Sequence, residues 1–241
     1  MSPNNYATPR VGVLGGSGYT GRELLRILRD HGGVEVAFAT ARSEAGDATE
    51  LPGLAYAPPD GVDPGSVDLL FLCLPHGEAA PRVEELRGAD VRIVDLTGDH
   101  RPGSGREEGA VYGLPELHGP ELPDARLVAN PGCYPTGVIL ALAPLCREGL
   151  VDPGRPVIVN AASGVTGAGR SPRRDLLFGE VAGDFRAYAV GNRHRHLGEM
   201  RAPFPGLRLL FTPHLLPVSR GILETICLPL RGDADAGAVR D

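Results

Sequence analysis

The chain predicts an α/β protein: a doubly wound parallel sheet over residues 1–130, then over 131–241 an α+β domain of mostly antiparallel strands. Three observations carry this. Short apolar runs alternate with helix-spaced segments through the first half. The first such run opens into a glycine-rich turn. Beyond Cys133, strand-like stretches follow one another with little helix between them.

Taken in order, Arg10-Val11-Gly12-Val13-Leu14 is an apolar strand, and 22–30 then sets Leu24, Leu25, Ile27 and Leu28 at helical spacing. Gly32-Gly33 stops the helix, and 34–39 reads as a second strand. A β–turn–α–β succession in roughly 30 residues has the size of one parallel crossover unit. Residues 68–74 are continuously apolar after Asp68, as a strand buried on both faces requires. Pro75-His76-Gly77 ends it, a helix is expected over 78–87 and a strand over 91–95. The Gly- and Pro-rich stretch 98–125 reads as loops, and 126–129 as a short strand ending at Asn130-Pro131-Gly132. A helix over 134–147 follows, then strands at 156–161, 185–190, 207–212 and 222–230, with a frayed tail at 232–241.

With 241 residues, 42% of them hydrophobic and 22% charged, the chain is long and apolar enough for a buried core. No apolar run approaches the ~18–20 residues of a membrane span. Met1-Ser2-Pro3-Asn4-Asn5 lacks a basic n-region before an apolar stretch, so no membrane association and a cytoplasmic location are expected. The net charge of -6 argues against nucleic acid as a partner. All 24 basic residues are Arg and none is Lys, which excludes Schiff-base chemistry and Walker-type phosphate loops. A bound anion must therefore rely on Arg, His or backbone N–H groups. Cysteines at 73, 133, 146 and 227 include no CxxC pair, so neither a disulfide framework nor a zinc site is expected.

Glycines at 12, 15, 18 and 21 lie between the first strand and the first helix. Such spacing lets the backbone turn tightly and brings a pyrophosphate to the N–H groups of a helix N-terminus, the device of Rossmann-type dinucleotide domains. At the end of the second strand an NAD site carries Asp or Glu for the ribose diol, whereas this chain has Thr40-Ala41-Arg42-Ser43 before Glu44. A guanidinium and a hydroxyl favour the 2′-phosphate of NADP. The alternative is that Arg42 is a solvated surface residue.

In Asn130-Pro131-Gly132-Cys133-Tyr134-Pro135-Thr136 the cysteine starts a helix, where the positive end of the macrodipole favours a thiolate. Cys133 is by itself equally a nucleophile or a buried filler, while Cys73, Cys146 and Cys227 read as core. In Asn192-Arg193-His194-Arg195-His196 the two histidines share one face if the segment is extended. No carboxylate or Cys cluster completes a metal site, so no metal is expected; His194 between two arginines suits an acid/base group beside an anionic substrate. The Gly-rich segment 163–170, ending in Arg170, is either an oxyanion or phosphate nest or a flexible loop.

These motifs together resemble N-acetyl-gamma-glutamyl-phosphate reductase, of the semialdehyde dehydrogenase superfamily. The resemblance spans essentially the whole chain and includes the glycine turn, Asp95-Leu96-Thr97-Gly98-Asp99-His100-Arg101, Tyr112-Gly113-Leu114-Pro115-Glu116-Leu117, the heptapeptide around Cys133, segment 163–170, the His-Arg-His element and Phe211-Thr212-Pro213-His214-Leu215-Leu216-Pro217. It implies reversible, NADP(H)-dependent conversion of an acyl phosphate, N-acetylglutamyl phosphate, into a semialdehyde through a thioester on Cys133. His194 is then the preferred acid/base residue, with His196 orienting it or contacting substrate. Cofactor contacts fall to Gly12, Gly15, Ser17, Gly18, Tyr19 and Thr20, to Arg42 and Ser43, and to Leu74 and Pro75. Substrate contacts fall to Arg101, Asn130, Ser163, Gly164 and Arg170. The second domain becomes the catalytic and oligomerisation domain, and the full-length form a homo-oligomer.

Two departures accompany the resemblance: Thr97-Gly98-Asp99-His100-Arg101 varies the usual segment, and Gly198-Glu199 stands where Pro-Glu is usual after the second His. Relatives continue well past Leu230, so the chain reads as truncated at its C-terminus, with an exposed sheet edge and an incomplete NADP pocket expected. Two alternatives follow. One is a relative acting on a carrier-linked aminoadipyl or glutamyl phosphate, and the other is a non-catalytic nucleotide-binding descendant.

Overall fold

The computed structural model describes residues 7–232 together with Ala234, Gly237 and Val239; the N-terminal pentapeptide and most of the 232–241 tail lie outside the described residues. Packing divides the chain into two units, Met1–Arg101 with Gly105–Asn130, and Pro102–Ser104 with Pro131–Asp241.

The first unit is built on a six-stranded parallel sheet of order β2-β1-β3-β4-β6-β5. Its strands are β1 (Arg10–Leu14), β2 (Glu35–Ala39), β3 (Leu69–Leu72), β4 (Arg92–Asp95), β5 (Ala110–Tyr112) and β6 (Leu127–Ala129). Helix α1 (Tyr19–His31) starts directly after the glycine turn and ends at Gly32, whose φ of 67° is the left-handed cap that glycine takes without a Cβ penalty. Its Leu25 and Leu28 pack with Val11, Val13 and Ala39 on one face of the sheet. Ile27, which shares their spacing, instead faces solvent at 59% exposure. On the other face, Ala79 and Val83 of α2 (Ala79–Glu85) pack with Leu14, Leu70, Leu72 and Ile93. Covering both faces is what makes the strands continuously apolar, and each fully buried leucine contributes about 2 kcal/mol.

The stretch expected to be all loop, 98–125, holds the edge strand β5 and the short helix α3 (Pro115–His118). A three-residue strand is too short to show a period, and only its pairing with β6 defines it.

The second unit has a four-stranded sheet of order β10-β7-β9-β8, formed by β7 (Val157–Gly164), β8 (Arg186–Ala187), β9 (Leu209–Leu216) and β10 (Ile222–Cys227). Its outer pairings are antiparallel, as expected, while the central β7–β9 pair is parallel over eight residues on each strand. Helices α4 (Cys133–Arg147) and α6 (His196–Arg201) pack against one another and against this sheet; a further short helix is α5 (Phe178–Val181). Val157, Val159, Ala161, Leu209 and Phe211 are buried, whereas the alternate residues Ile158 and Leu210 are each 41% exposed and Leu223 is 71% exposed. The sheet thus has one covered and one open face.

Candidate active site

In the first unit, chain order reverses between β1 and β3, and ligands of open parallel sheets bind outside the strand ends at such a point. Gly15, with φ of 80°, makes the turn there. A Cβ on it would run into the carbonyl of Cys73, so no other residue fits. A Cβ on Gly21 would lie 2.5 Å from the Gly15 carbonyl oxygen, so glycine is also required where α1 packs on the turn. At Gly18, the N-cap of α1, only the Gly15 oxygen falls within 4 Å of a Cβ position, at 3.7 Å, and no side chain caps the helix. The start of α1 is therefore sterically open toward Ser17, Tyr19 and Thr20, which fits a dinucleotide pyrophosphate.

Gly12 does not belong to this turn. It lies inside β1, where the Phe38 ring and Leu70 fill the space a side chain would need, so its role is sheet packing. The amides of Gly15 and Gly16 are also already engaged, by Thr40 Oγ1 at 3.2 Å and the Thr40 carbonyl at 2.8 Å. Two residues missed by sequence reasoning brace the turn from outside. Arg22 Nε donates to the Ser17 carbonyl at 3.1 Å, and the Tyr56 hydroxyl bridges the Gly16 carbonyl, at 3.3 Å, and Glu50, at 2.8 Å. Burial and the Glu50 bond push the Tyr56 hydroxyl far above its ordinary pKa, so it stays a neutral donor.

Arg42 and Ser43 are exposed beyond β2, and the Arg42 guanidinium forms an ion pair with Glu78. Leu74 packs against the core and Pro75 is exposed, both on the loop leaving β3. That loop is stiffened by Asp99, whose carboxylate accepts from the amides of Gly77 at 2.7 Å, Ala79 at 3.0 Å and Ala80 at 3.1 Å. Burial opposes its charge, but these bonds prevail and hold Asp99 below the usual carboxylate range. Arg101 is buried, with Nε donating to the Asn130 carbonyl at 2.7 Å and Nη2 to the Leu96 carbonyl at 2.9 Å. Its neighbour His100 is paired through Nδ1 with buried Asp95 at 2.7 Å.

In the second unit, Cys133 is the first residue of α4 and exposed. The turn before it is tied down twice. The Gly132 amide donates to Oε1 of buried Glu199 at 2.7 Å, and Thr136 Oγ1 donates to the Gly132 carbonyl at 2.8 Å. Around the thiol stand Tyr134 and Tyr188, hydroxyl to hydroxyl at 3.0 Å. Burial raises both of their pKa values, so both hydroxyls remain protonated. His194 meets both tyrosine rings edge-on, with centroids at 5.5 Å and 5.6 Å. Burial, reinforced by the Arg195 charge, pushes His194 down to about 4, so its ring is neutral near pH 7.

The His-Arg-His segment is not extended. A turn leads into α6, with His196 as its first residue. The rings still meet, at 4.8 Å, because the turn folds His194 back over the start of the helix. The His196 amide donates to His194 Nδ1 at 3.2 Å, which places the proton of the neutral His194 ring on Nε2. Ser163 and Gly164 are the last residues of β7 and not part of a loop; a 3₁₀ turn over Val165–Ala168 follows, and Arg170 is exposed beyond it. Cys227 departs from expectation as well. It lies on the open face of the sheet, beside Ile158, and is exposed, whereas Cys73 and Cys146 are partly buried. Burial pushes the Cys73 thiol up to about 12, with Asp95 adding to it, which disfavours its thiolate.

Comparison with known proteins places the chain in a family. Residues 10–125 match the semialdehyde dehydrogenase NAD binding domain, and residues 133–241 the semialdehyde dehydrogenase dimerisation domain. The N-acetyl-gamma-glutamyl-phosphate reductase of Marinobacter nauticus is 43% identical, over 94% of this chain and 73% of its own length. That of Neisseria meningitidis is 41% identical, over 92% and 72%. The chain belongs to the N-acetyl-gamma-glutamyl-phosphate reductase family. Members of this family are oxidoreductases, and the first unit carries the family's NAD(P)-binding domain. The fold is also that of aspartate semialdehyde dehydrogenase II from Vibrio cholerae, with a TM-score of 0.78 at 18% identity, covering 97% of this chain and 78% of that one. The Candida albicans aspartate semialdehyde dehydrogenase, solved with NADP, gives a TM-score of 0.71 at 16% identity, covering 95% and 73%. Among the described residues no helix is long and apolar enough to cross a membrane.

Proposed function

We propose that this chain reduces N-acetyl-gamma-glutamyl phosphate to N-acetylglutamate 5-semialdehyde and phosphate, with NADP(H) as cofactor and Cys133 as nucleophile. The observation that carries the reading is the exposed Cys133 at the start of α4, beside two protonated tyrosines that contact a neutral His194. The Cys133 thiolate attacks the acyl carbon, the bond to the phosphate oxygen breaks, and phosphate departs with the electron pair to leave a thioester. The chemistry supplied by the bound dinucleotide is hydride transfer to that acyl carbon. His194 Nε2–H donates to the oxyanion that develops at each tetrahedral stage, and the departing phosphate takes up from solvent the one proton that the net reduction consumes. Collapse of the thiohemiacetal breaks the C–S bond and regenerates the thiolate.

His196 acts in this reading through its amide, by fixing the His194 tautomer. Ser163 and Gly164, closing β7 beside Tyr134, and the exposed Arg170 are proposed to contact substrate. Arg101 is proposed to support the anionic substrate by holding Asn130 in place. NADP(H) is favoured over NAD(H) by Arg42 and Ser43 where a ribose-binding carboxylate would otherwise follow β2. The open face of the second sheet, with Ile158, Leu210 and Leu223, is where we place a second copy of the chain. A cytoplasmic location accompanies a soluble cofactor and four cysteines that form no disulfide.

The test is phosphate-dependent reduction of NADP+ by N-acetylglutamate semialdehyde, with Cys133→Ser beside the parent. Turnover that vanishes in the variant is expected; turnover that survives it would reject Cys133 as nucleophile. A preference for a carrier-linked aminoadipyl semialdehyde in the same assay would reassign the substrate.

A further inference from the structure

Glu78 holds the N-cap position of α2 but does not cap it, since its side chain makes no hydrogen bond to the helix amides. Asp99 performs that task, accepting from Ala79 and Ala80. The Glu78 carboxylate turns instead to Arg42. Nη1 donates to Oε1 at 3.2 Å and Nη2 donates to Oε2 in a second, shorter bond, so both carboxylate oxygens face the guanidinium fork. The pair joins the loops leaving β2 and β3, the two strands that flank β1 and its glycine turn. The fork so occupied is the same planar set of N–H groups that takes a phosphate bidentately.

We propose that Glu78 is a specificity-determining residue: its carboxylate occupies Arg42 in the free protein, and the 2′-phosphate of NADP(H) must displace it, so Glu78 sets the margin of preference over NAD(H). The inference rests on the reading that Arg42 receives the 2′-phosphate. NAD(H), lacking that phosphate, binds without opening the pair. NADP(H) must open it, and the displaced carboxylate stays one residue before α2, where it repels the incoming dianion. Side-chain exposures of 70% for Arg42 and 36% for Glu78 keep the effect modest and sensitive to salt. Because the α2 amides depend on Asp99, neutralising Glu78 leaves the fold intact.

Titrating the full chain with NADP+ and with NAD+ by calorimetry tests this, using Glu78→Gln, Arg42→Ala and the double variant. Glu78→Gln is expected to tighten NADP+ binding about three- to fivefold and to leave NAD+ unchanged. The gain is expected to shrink at about 0.5 M salt and to vanish in the Arg42→Ala background. Unchanged or weaker NADP+ binding in Glu78→Gln, or equal tightening of both dinucleotides, would overturn the proposal. Arg42→Ala reports separately on the underlying reading. If it leaves the NADP+/NAD+ ratio intact, the 2′-phosphate is bound elsewhere. If it collapses the ratio while Glu78→Gln does nothing, only the role given to Glu78 is wrong.

Discussion

The Gly132 amide donates to Oε1 of Glu199 at 2.7 Å, so a carboxylate on α6 anchors the turn that launches the helix bearing Cys133. Glu199 is 3% exposed, and its loss strands a buried amide. Glu199→Ala is therefore expected to destabilise the fold by about 1–3 kcal/mol and to lower kcat about tenfold or more by loosening the nucleophile. Glu199→Gln keeps an acceptor oxygen and is expected to recover most of the stability. Calorimetric melting alongside steady-state kinetics checks both; an unchanged Tm in Glu199→Ala would remove the anchoring role.

Two of the four thiols, Cys133 and Cys227, are exposed, but only Cys133 sits at a helix N-terminus. Cys133 is expected to alkylate about tenfold faster than Cys227 at pH 7, because the positive end of α4 favours its thiolate. Timed iodoacetamide labelling with peptide mass analysis measures both sites in one sample. Equal rates would count against an activated nucleophile.

His194 and Glu224 should give stability two opposing pH slopes. His194 falls from 6.5 to about 4 on folding, through burial and Arg195, so the unfolded chain binds the extra proton between those values. Stability from His194 is thus present above pH 6.5 and lost as pH drops toward 4. Glu224 lies against Gly137 of α4, its Oε1 buried and without a hydrogen bond, and burial raises it from 4.5 to about 7. There the folded chain holds the extra proton, so stability is lost as pH rises from 4.5 to about 7. Glu224→Gln is expected to steepen the rise of stability with pH over this range, and His194→Gln to reverse it. Urea titrations at pH 5, 6 and 7 would expose either error as a slope that does not move.

Two glycines with left-handed backbone should respond differently to alanine. At Gly32, φ is 67° and nothing lies within 4 Å of a Cβ, so Gly32→Ala is expected to cost about 1 kcal/mol. At Gly15, φ is 80° and the Cys73 carbonyl blocks the Cβ, so the turn must shift. Gly15→Ala is expected to cost more than about 2 kcal/mol and to abolish dinucleotide binding. Chemical denaturation and NADP+ titration compare them; equal costs would mean that the Cys73 contact relaxes freely.

Much of this was legible from residues near one another in the chain. The apolar runs at Val11, Leu70 and Ile93, the leucines of α1 and the glycine at 15 identify the parallel sheet and its turn through spacing alone, because period and backbone freedom are local properties. The thiol at 133 and the histidine at 194 stand out through their flanking residues in the same way. Pattern failed where an element was short, as with β5, or where a residue's environment was set by the sheet face it occupies, as with Gly12 and Cys227.

The sequence by itself therefore determined the order of the longer elements, the glycine turn and the candidate nucleophile. Only the tertiary structure decided which carboxylate serves which amide or guanidinium. Glu199 reaches an amide 67 residues away, Asp99 reaches one 22 residues away, and Glu78 at the start of α2 finds Arg42 across 36 residues instead of capping its own helix. A carboxylate accepts from any donor that the fold brings within about 3 Å, so its partner is a property of packing and leaves no period in the chain.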